Sequence, residues 1–263
     1  MECQTLLARW SVRRVAVAIT RDAARPGTGP LAGPLHDDTA GPDYILSVTY
    51  TGEVTVGGPA DTREIDGITL RKVAVGSMNN NAYLLRDNAT GQALLIDAAA
   101  EPATLLELIG STPVQKIVTT HQHADHWGAL AEVKEATGAV TVAHPLDAPG
   151  IPVTSDELVD DSCVVRFGGV ELEAIHLVGH TPGSIALLLR ASDRPHLFTG
   201  DCLFPGGPGR TITPETFNSL MSGLEERVFG RLPDETWIYP GHGNDSTLGA
   251  ERPHLEEWRA RGW

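Results

Sequence analysis

The stretch TTHQHADHWGAL (119–130) decides how the rest of this sequence is interpreted. Three of the ten histidines of the chain and one aspartate fall within the six positions from His121 to His126. Imidazole and carboxylate groups are preferred ligands of zinc and related divalent metals. The cluster directly follows KIVTT (116–120), a short apolar run that predicts a buried strand. The sequence therefore predicts a metal site at the end of a strand.

The spacing within the cluster favours two metal ions over one. Side chains alternate along an extended chain, so His121 and His123 point to the same side and can share one ion. Asp125 and His126 lie where the chain turns into a predicted helix (127–138), and they must diverge from the first pair. Two ions about 3.5–4 Å apart are a common arrangement for activating a water molecule. A dinuclear centre is therefore expected.

Three further segments place a candidate ligand directly after an apolar strand. They are His180 in LVGHTPGS, Asp201 in LFTGD and His242 in IYPGHG, each in a glycine-containing turn that lets the backbone approach an ion. A solvated, histidine-rich loop is the alternative interpretation of the cluster. Because four separate segments agree in placement, the metal interpretation is preferred.

Other residues near predicted strand ends have two interpretations each. Asp97 in LLIDAAA either orients a metal ligand from the second coordination shell or caps a helix, and the sequence leaves both open. His144 also follows a strand, but a polar residue that ends the strand is preferred over a ligand. Cys202, beside Asp201, resembles a nucleophile in position, whereas a small residue packed under the site is the simpler interpretation.

The pattern of apolar residues predicts an α/β fold with two β-rich blocks. Helices are expected at 101–110, at 127–138, from Thr213 as N-cap to about Gly230, and in the tail from Gly249. Two sheets covered by helices are the architecture that such alternation favours. Strands are expected at 68–76, 81–87, 92–97, 116–120, 139–143, 163–167, 170–178, 184–190, 196–200 and 237–241.

Composition narrows the class of protein. The chain has 263 residues, of which 41% are hydrophobic, and it has no apolar run of the about 18 residues that span a bilayer. The net charge of −14 lacks the basic surface of a nucleic-acid binder. Neither a nucleic acid nor a membrane is expected as a partner. The sequence does not indicate an oligomeric state.

The N-terminal region is expected to lie outside the fold. The segment 26–42 contains four prolines and four glycines, which is typical of a disordered linker. We therefore predict a disordered extension at 1–47 and one catalytic domain at 48–263. Three scattered cysteines and the lack of a secretory signal favour a cytoplasmic location.

The motif HxHxDH, followed in order by GHTPGS, FTGD and PGHG, resembles the metallo-β-lactamase superfamily over about residues 68–245. The resemblance implies a four-layer αββα sandwich with two divalent metal ions at one edge, most simply Zn²⁺, with iron or manganese as the alternatives. It implies that the first ion is bound by His121, His123 and His180. The second ion would be bound by Asp125, His126 and His242, and Asp201 would bridge the two ions.

Two further stretches are similar to the glyoxalase II-like branch, whose members hydrolyse acyl thioesters: MNNNAYLL (78–85) and GDCLFPGGPGRT (200–211). This implies that a metal-bridging hydroxide attacks a small-molecule thioester and that Asp125 orients it. Tyr83 and Arg210 are candidates for substrate contact, with packing and loop anchoring as the alternatives. Glyoxalase II proper has a C-terminal helical domain that holds glutathione. Only about 20 residues follow Gly243 here, so the thiol stays open.

Two rival functions remain at this point. A mononuclear iron persulfide dioxygenase would use His121, His180 and Asp201, a two-histidine, one-carboxylate set. The retained His242 in PGHG and the FPGG sequence after Asp201 favour the hydrolase. A metal-binding protein without turnover is the second rival, and the complete ligand set disfavours it.

Overall fold

A computed structural model describes residues 50–262, so the predicted extension at 1–47 lies outside the described residues. Two β-sheets make up most of this region. The first sheet has seven strands in the order β1 to β7: Asp61–Ile65, Ile68–Val75, Asn80–Asp87, Ala93–Ile96, Val114–Val118, Val140–Ala143 and Glu157–Leu158. Neighbours β1 to β4 run antiparallel, whereas β4, β5, β6 and β7 pair in parallel.

The second sheet contains six strands in the order β15-β14-β11-β10-β9-β8. Only β11 and β14 pair in parallel within it. A two-stranded ribbon, β12 with β13, follows β11 along the chain. The bounds of β8 to β15 are Val164–Phe167, Val170–His176, Ile185–Arg190, Pro195–Gly200, Leu203–Phe204, Gly207–Pro208, Trp237–Pro240 and Ser246–Thr247.

Five α-helices accompany the sheets: α1 Pro102–Ile109, α2 Leu130–Thr137, α3 Pro214–Gly223, α4 Leu248–Glu251 and α5 Leu255–Arg261. The predicted N-cap of α3 is confirmed, since Thr213 accepts a hydrogen bond from the backbone N–H of Thr216 at 3.2 Å. The chain beyond α3 widens into a π-helix, Leu224–Phe229, before Gly230. The helix expected from Trp127 begins three residues later, because Ala124–His126 form a separate 3₁₀ turn.

Three apolar layers show how the elements stack. One core lies between the two sheets and includes Leu85 and Leu187. A second fills the space between the first sheet and helices α1 and α2, around Leu105 and Val133. A third lies between the second sheet and helices α3 and α5. This is the four-layer αββα sandwich that the sequence predicts.

The carboxyl ends of parallel strands β5, β11 and β14 precede the candidate ligands. Strand β5 leads to the histidine cluster, β11 ends directly before Asp201, and β14 ends two residues before His242. Because the polar ligands lie beyond the ends of the strands, they do not interrupt the hydrogen bonds between neighbouring strands. Among residues 50–262, no helix has the length and apolar character needed to cross a membrane.

Candidate metal centre

The structure brings all seven predicted ligand side chains into one cluster. Three overlapping groups each have ligand atoms within 4.8 Å of one another: His121, His123 and His180; His121, His126 and Asp201; and Asp125, His126 and His242. Side chains from segments up to 121 residues apart, His121 and His242, therefore converge at one edge of the sandwich.

The first group consists of three imidazoles. The Nε2 atom of His121 lies 3.1 Å from Nδ1 of His123 and 3.3 Å from Nε2 of His180. Because ring nitrogens coordinate zinc at about 2.0–2.1 Å, nitrogen atoms this close can share one ion after small adjustments. The grouping is the one that the resemblance implies for the first metal.

The second group combines two histidines with Asp125. The Nε2 atoms of His126 and His242 lie 3.3 Å apart, and Oδ2 of Asp125 lies 3.4 Å from the latter. Asp201 lies between the two groups: its Oδ1 is 3.4 Å from His126, and its Oδ2 is 3.5 Å from His180. One carboxylate thus reaches both groups, as a bridging ligand must.

Backbone carbonyls fix the orientation of two of these histidines. The Nδ1 atom of His180 lies 2.7 Å from the carbonyl oxygen of Arg210, and Nδ1 of His242 lies 3.0 Å from that of Met78. A carbonyl oxygen only accepts, so in each ring Nδ1 carries the proton. The Nε2 lone pairs of both rings consequently face the cluster.

Asp97 orients two more histidines from its position at the end of β4. Its Oδ2 accepts a hydrogen bond from Nδ1 of His126 at 2.8 Å and one from the hydroxyl of Thr120 at 2.8 Å. Since that hydroxyl donates to Asp97, its oxygen accepts from Nδ1 of His121 at 3.0 Å. Helix α1 has Glu101 as its N-cap, so Asp97 does not cap this helix and instead holds the rings of His126 and, through Thr120, His121.

The resulting cavity is rich in lone pairs and poor in protons. Four histidines point Nε2 lone pairs inward, and Oδ1 of Asp201 is buried without a hydrogen-bond partner. Without a cation, a proton takes its place on His126: burial would lower the pKa of this ring, but the charges of Asp97 and Asp201 raise it to about 10. Burial opposes ionisation of Asp201, yet His126 and His242 hold its pKa well below the usual value. Positive charge inside the cluster is therefore stabilising, and divalent cations would supply it.

The donor atoms of the cluster also indicate which cations it would bind. Five imidazoles and two carboxylates form a borderline donor set that suits zinc, iron or manganese better than magnesium or calcium, which prefer oxygen ligands. Gly241 leaves the necessary room, because a Cβ atom there would collide with Oδ1 of Asp201 and lie 2.8 Å from Cε1 of His126.

Asn80 belongs to the site although sequence reasoning missed it. Its Nδ2 donates to Oδ2 of Asp125 at 2.9 Å and lies 3.5 Å from Nε2 of His126 and 3.4 Å from Nε2 of His242. The available signal was the run of three asparagines at 79–81, since polar residues in a predicted buried strand require partners.

Asn81 anchors the turn that carries His242. Its backbone N–H donates to the carbonyl of Gly241 at 2.7 Å, and its Nδ2 donates to the carbonyls of Pro240 at 2.9 Å and Gly243 at 2.8 Å. The two neighbouring asparagines thus serve different groups of the same site: Asn80 the ligands, and Asn81 the backbone beneath them.

The expectation that Tyr83 contacts substrate is corrected by the structure. Its ring is buried, and its hydroxyl donates to the carbonyl oxygen of Pro240 at 2.6 Å. Strand β3 is buried on both faces, so Tyr83 supports the His242 turn from within the core. Arg210 is exposed, and its carbonyl oxygen adjoins His180. Its role in substrate contact stays a prediction.

A buried ion pair supports the same turn from the other side. Nζ of Lys72 lies 2.7 Å from Oδ1 of Asp245 and donates to the carbonyls of Gly52 and Gly243. Oδ2 of Asp245 accepts from the hydroxyl of Tyr50 at 2.6 Å and from the indole N–H of Trp237 at 2.9 Å. This network fixes the chain just beyond His242.

His144 lies outside the seven-residue cluster and forms a separate group with Asp160 and His176, whose ligand atoms lie within 4.8 Å of one another. Its Nδ1 accepts from the backbone N–H of Leu146 at 3.2 Å, so its Nε2 proton points toward Asp160 at 3.3 Å. Its ring stacks on that of His176, whose Nε2 donates to the carbonyl of Pro182. These interactions tie the end of β6 to the second sheet.

Cys202 is a packing residue. Its side chain is fully buried in the core beneath the site, and burial raises the pKa of its thiol far above the usual range. A thiol in that state is not a nucleophile at neutral pH. The simpler interpretation of this cysteine is therefore the one that the structure supports.

Comparisons with known proteins agree with this geometry. Residues 75–242 match the family described as the Metallo-beta-lactamase superfamily. The hydroxyacylglutathione hydrolase of Polaromonas sp. is 37% identical over 165 residues, which are 62% of this chain and 62% of that protein.

Two solved structures are also similar. ETHE1 from Myxococcus xanthus has a TM-score of 0.64 at 29% identity, covering 73% of this chain and 84% of that one. The di-iron-bound form of TTHA1623 has a TM-score of 0.57 at 30% identity, covering 69% of this chain and 96% of that one.

Proposed function

This chain belongs to the metallo-beta-lactamase superfamily, and on that premise we propose that it is a metal-dependent hydrolase of acyl thioesters. The observation that carries the proposal is the pair of ligand groups joined by Asp201, because two adjacent cation sites suit activation of water better than oxygen chemistry at one iron. The similarity to a hydroxyacylglutathione hydrolase supports thioesters as the substrate class.

The bound metals would lower the pKa of a coordinated water from 15.7 toward about 7 and polarise the substrate carbonyl. Zinc is the proposed metal, and the similarity to a di-iron-bound structure makes iron the main alternative. His121, His123 and His180 would hold the first ion. Asp125, His126 and His242 would hold the second, with Asp201 shared.

Asp125 is the proposed catalytic residue. Its side chain is one-quarter exposed, unlike the fully buried His126 beside it, so it can meet substrate and water at the surface of the cluster. One carboxylate oxygen accepts from Asn80, and the carboxylate has further lone pairs with which to accept a hydrogen bond from the attacking hydroxide. Its task is to orient that nucleophile toward the carbonyl carbon.

The chemistry of the cluster favours a leaving group that does not need to be protonated. The five imidazoles and two carboxylates of the cluster would be occupied by the cations, so none of these seven side chains would be free to act as a general acid. A thiolate departs without protonation, whereas an amine or alkoxide requires a proton donor. Thioesters therefore suit this site better than amides.

Residues around the cluster suggest a neutral, apolar substrate. Three exposed apolar side chains lie within two residues of a ligand or its carbonyl partner: Met78, Val178 and Ile212, the last of which is 86% exposed. Exposed apolar side chains on the segments that carry the ligands are candidates for contact with an apolar part of a substrate. We therefore place neutral acyl thioesters ahead of thioesters of glutathione, which carries two carboxylates.

The test compares wild type with Asp125→Ala on a thioester panel, with the metal content of each sample measured. We expect hydrolysis by the wild type and a loss of at least about 100-fold in the variant, because it lacks both a ligand of the second ion and the group that orients the nucleophile. Asp193→Ala, a change at an exposed aspartate that belongs to none of the candidate metal groups, is the matched control and should retain full activity.

Oxygen uptake with a persulfide distinguishes the main rival. A dioxygenase built on His121, His180 and Asp201 would not need Asp125. Oxygen uptake that persists in Asp125→Ala, with no thioester cleavage by either protein, would refute the hydrolase proposal. A metal-binding protein without turnover would give neither reaction before or after the substitution.

A further inference from the structure

Asn80 occupies a special place at the start of β3. Its backbone pairs with that of His242 in an isolated antiparallel bridge, and its side chain is almost completely buried. The bridge aligns the first residue of the strand with the turn beyond β14. The Asn80 side chain is consequently held against the second ligand group by the backbone itself.

The amide of Asn80 makes its shortest contact with Asp125. The Nδ2–Oδ2 distance of 2.9 Å is the usual length of an N–H···O hydrogen bond. The 3.5 Å and 3.4 Å separations from the Nε2 atoms of His126 and His242 are longer and less favourable. The main interaction of the amide is therefore its hydrogen bond to the carboxylate, and its contacts with the two imidazoles are weaker.

The hydrogen-bond pattern fixes which end of the amide faces the cluster. Nδ1 of His126 donates to Asp97, and Nδ1 of His242 donates to Met78, so in the neutral rings that bind a cation both inward Nε2 atoms carry lone pairs and no proton. Oδ2 of Asp125 is also an acceptor. The amide nitrogen, the only end with protons, therefore faces all three.

Asp125 depends on this contact for its orientation. Its carboxylate lies at the exposed side of the cluster, where other rotamers are open to it, and the hydrogen bond from Asn80 selects one of them. Asp97 performs the equivalent task for His126 from the opposite side. Losing an outer hydrogen-bond partner of a metal ligand typically costs about 10–100-fold in metal affinity or activity.

We propose that Asn80 is a positioning residue that sets the affinity of the second cation site by holding the carboxylate of Asp125 in place. The first cation site, built from His121, His123 and His180, does not contact Asn80 among the described interactions and is independent of it. The proposal concerns cation binding, so it can be tested whether or not thioesters are the substrate.

The experiment is a Co²⁺ titration of the full-length, metal-stripped protein, followed by calorimetry and by the visible absorption of bound Co²⁺. Asn80→Leu preserves the approximate volume of the side chain and removes its donor. We expect the second Co²⁺ to bind about 10–100-fold more weakly and the first to bind as in the wild type. Thermal unfolding of the metal-free variant should remain close to that of the wild type.

Two further variants make the result decisive. Asn80→Ser has a shorter side chain that does not reach Asp125, and it should show the same selective loss if the leucine variant fails to fold. Gln122→Leu removes an amide that lies between two ligands in the sequence. Among the described hydrogen bonds, those of Gln122 involve its backbone and go to Asp147 and Trp127, so both Co²⁺ sites of this variant should be normal.

Two outcomes would overturn the proposal. In the first, Asn80→Leu and Asn80→Ser bind two Co²⁺ ions with wild-type affinities. In the second, both sites weaken equally while the metal-free variants unfold at a lower temperature than the wild type. That pattern would assign Asn80 to general packing.

Discussion

Replacing Lys72 with methionine should destabilise the protein far more than the same change at either of its other two lysines. Each of the three lysines pairs with an acid, but the pairs differ in burial. The side chains of Lys72 and Asp245 are 0% and 1% exposed, whereas those of Lys116 and Glu157 are 18% and 50% exposed. The two more exposed lysine pairs therefore serve as controls for the buried pair in the same protein.

The expected size of the effect follows from the contacts that Lys72 makes. Methionine fills similar space but leaves Asp245 buried without its counter-charge and leaves the carbonyls of Gly52 and Gly243 without their donor. Breaking a buried pair in this way costs about 3–5 kcal/mol. For a domain of this size that corresponds to a fall of about 10 °C in Tm. Lys116→Met and Lys134→Met should each cost at most about 1 kcal/mol.

Urea unfolding of the three variants at neutral pH measures these differences. A double variant, Lys72→Met with Asp245→Asn, should recover at least half of the loss, because the amide remains a partner for Tyr50 and no unpaired charge is left. If Lys72→Met loses no more stability than Lys116→Met, the buried ion pair does not stabilise the fold, and the reasoning from burial is refuted.

Three further predictions concern other parts of the fold. Burial lowers the pKa of His196 from 6.5 to about 4, and the charge of Arg63 contributes to this shift. The folded protein therefore binds a proton at His196 less readily than the unfolded chain does. As a result, the folded state loses stability as the pH falls from about 6.5 to 4. His196→Gln should remove this contribution, so its free energy of unfolding relative to wild type should rise by about 2 kcal/mol between about pH 7.5 and pH 5 in urea titrations. An unchanged difference between the two proteins would contradict it. Asp97→Asn should weaken the second cation site by about 10–100-fold in a Co²⁺ titration, because His126 loses its charged partner; equal binding by variant and wild type would count against that role. Thr213→Ala should lower the free energy of unfolding by about 1 kcal/mol through loss of the α3 cap, measured by urea unfolding, and a loss near zero would mean that the cap contributes nothing.

The sequence predicts the ligand cluster well because ligands come in short motifs placed at strand ends. His121, His123, Asp125 and His126 lie within six residues, and the other three ligands follow apolar runs that are easily identified. Most predicted strands are confirmed for the same reason, since short β-rich runs bounded by turn residues carry a local signal.

Contacts between distant segments escape this reasoning. Asn80 and His242 are 162 positions apart, and Lys72 and Asp245 are 173 apart, so no local pattern reveals either pair. Tyr83 was misjudged because β3 is buried on both faces, and alternation therefore does not separate a core side from an exposed side. The start of α2 shifted because the ligand segment takes up a 3₁₀ turn of its own.

The backbone carbonyls that hold His180 and His242 have a consequence for how this protein can evolve. Arg210 and Met78 fix those imidazoles through main-chain atoms alone, while their side chains are free to differ. Random substitution at these two positions would alter the chemistry presented to incoming molecules without disturbing ligand orientation. Selection for a new substrate can therefore act on the rim of the site while the ligand cluster stays in place.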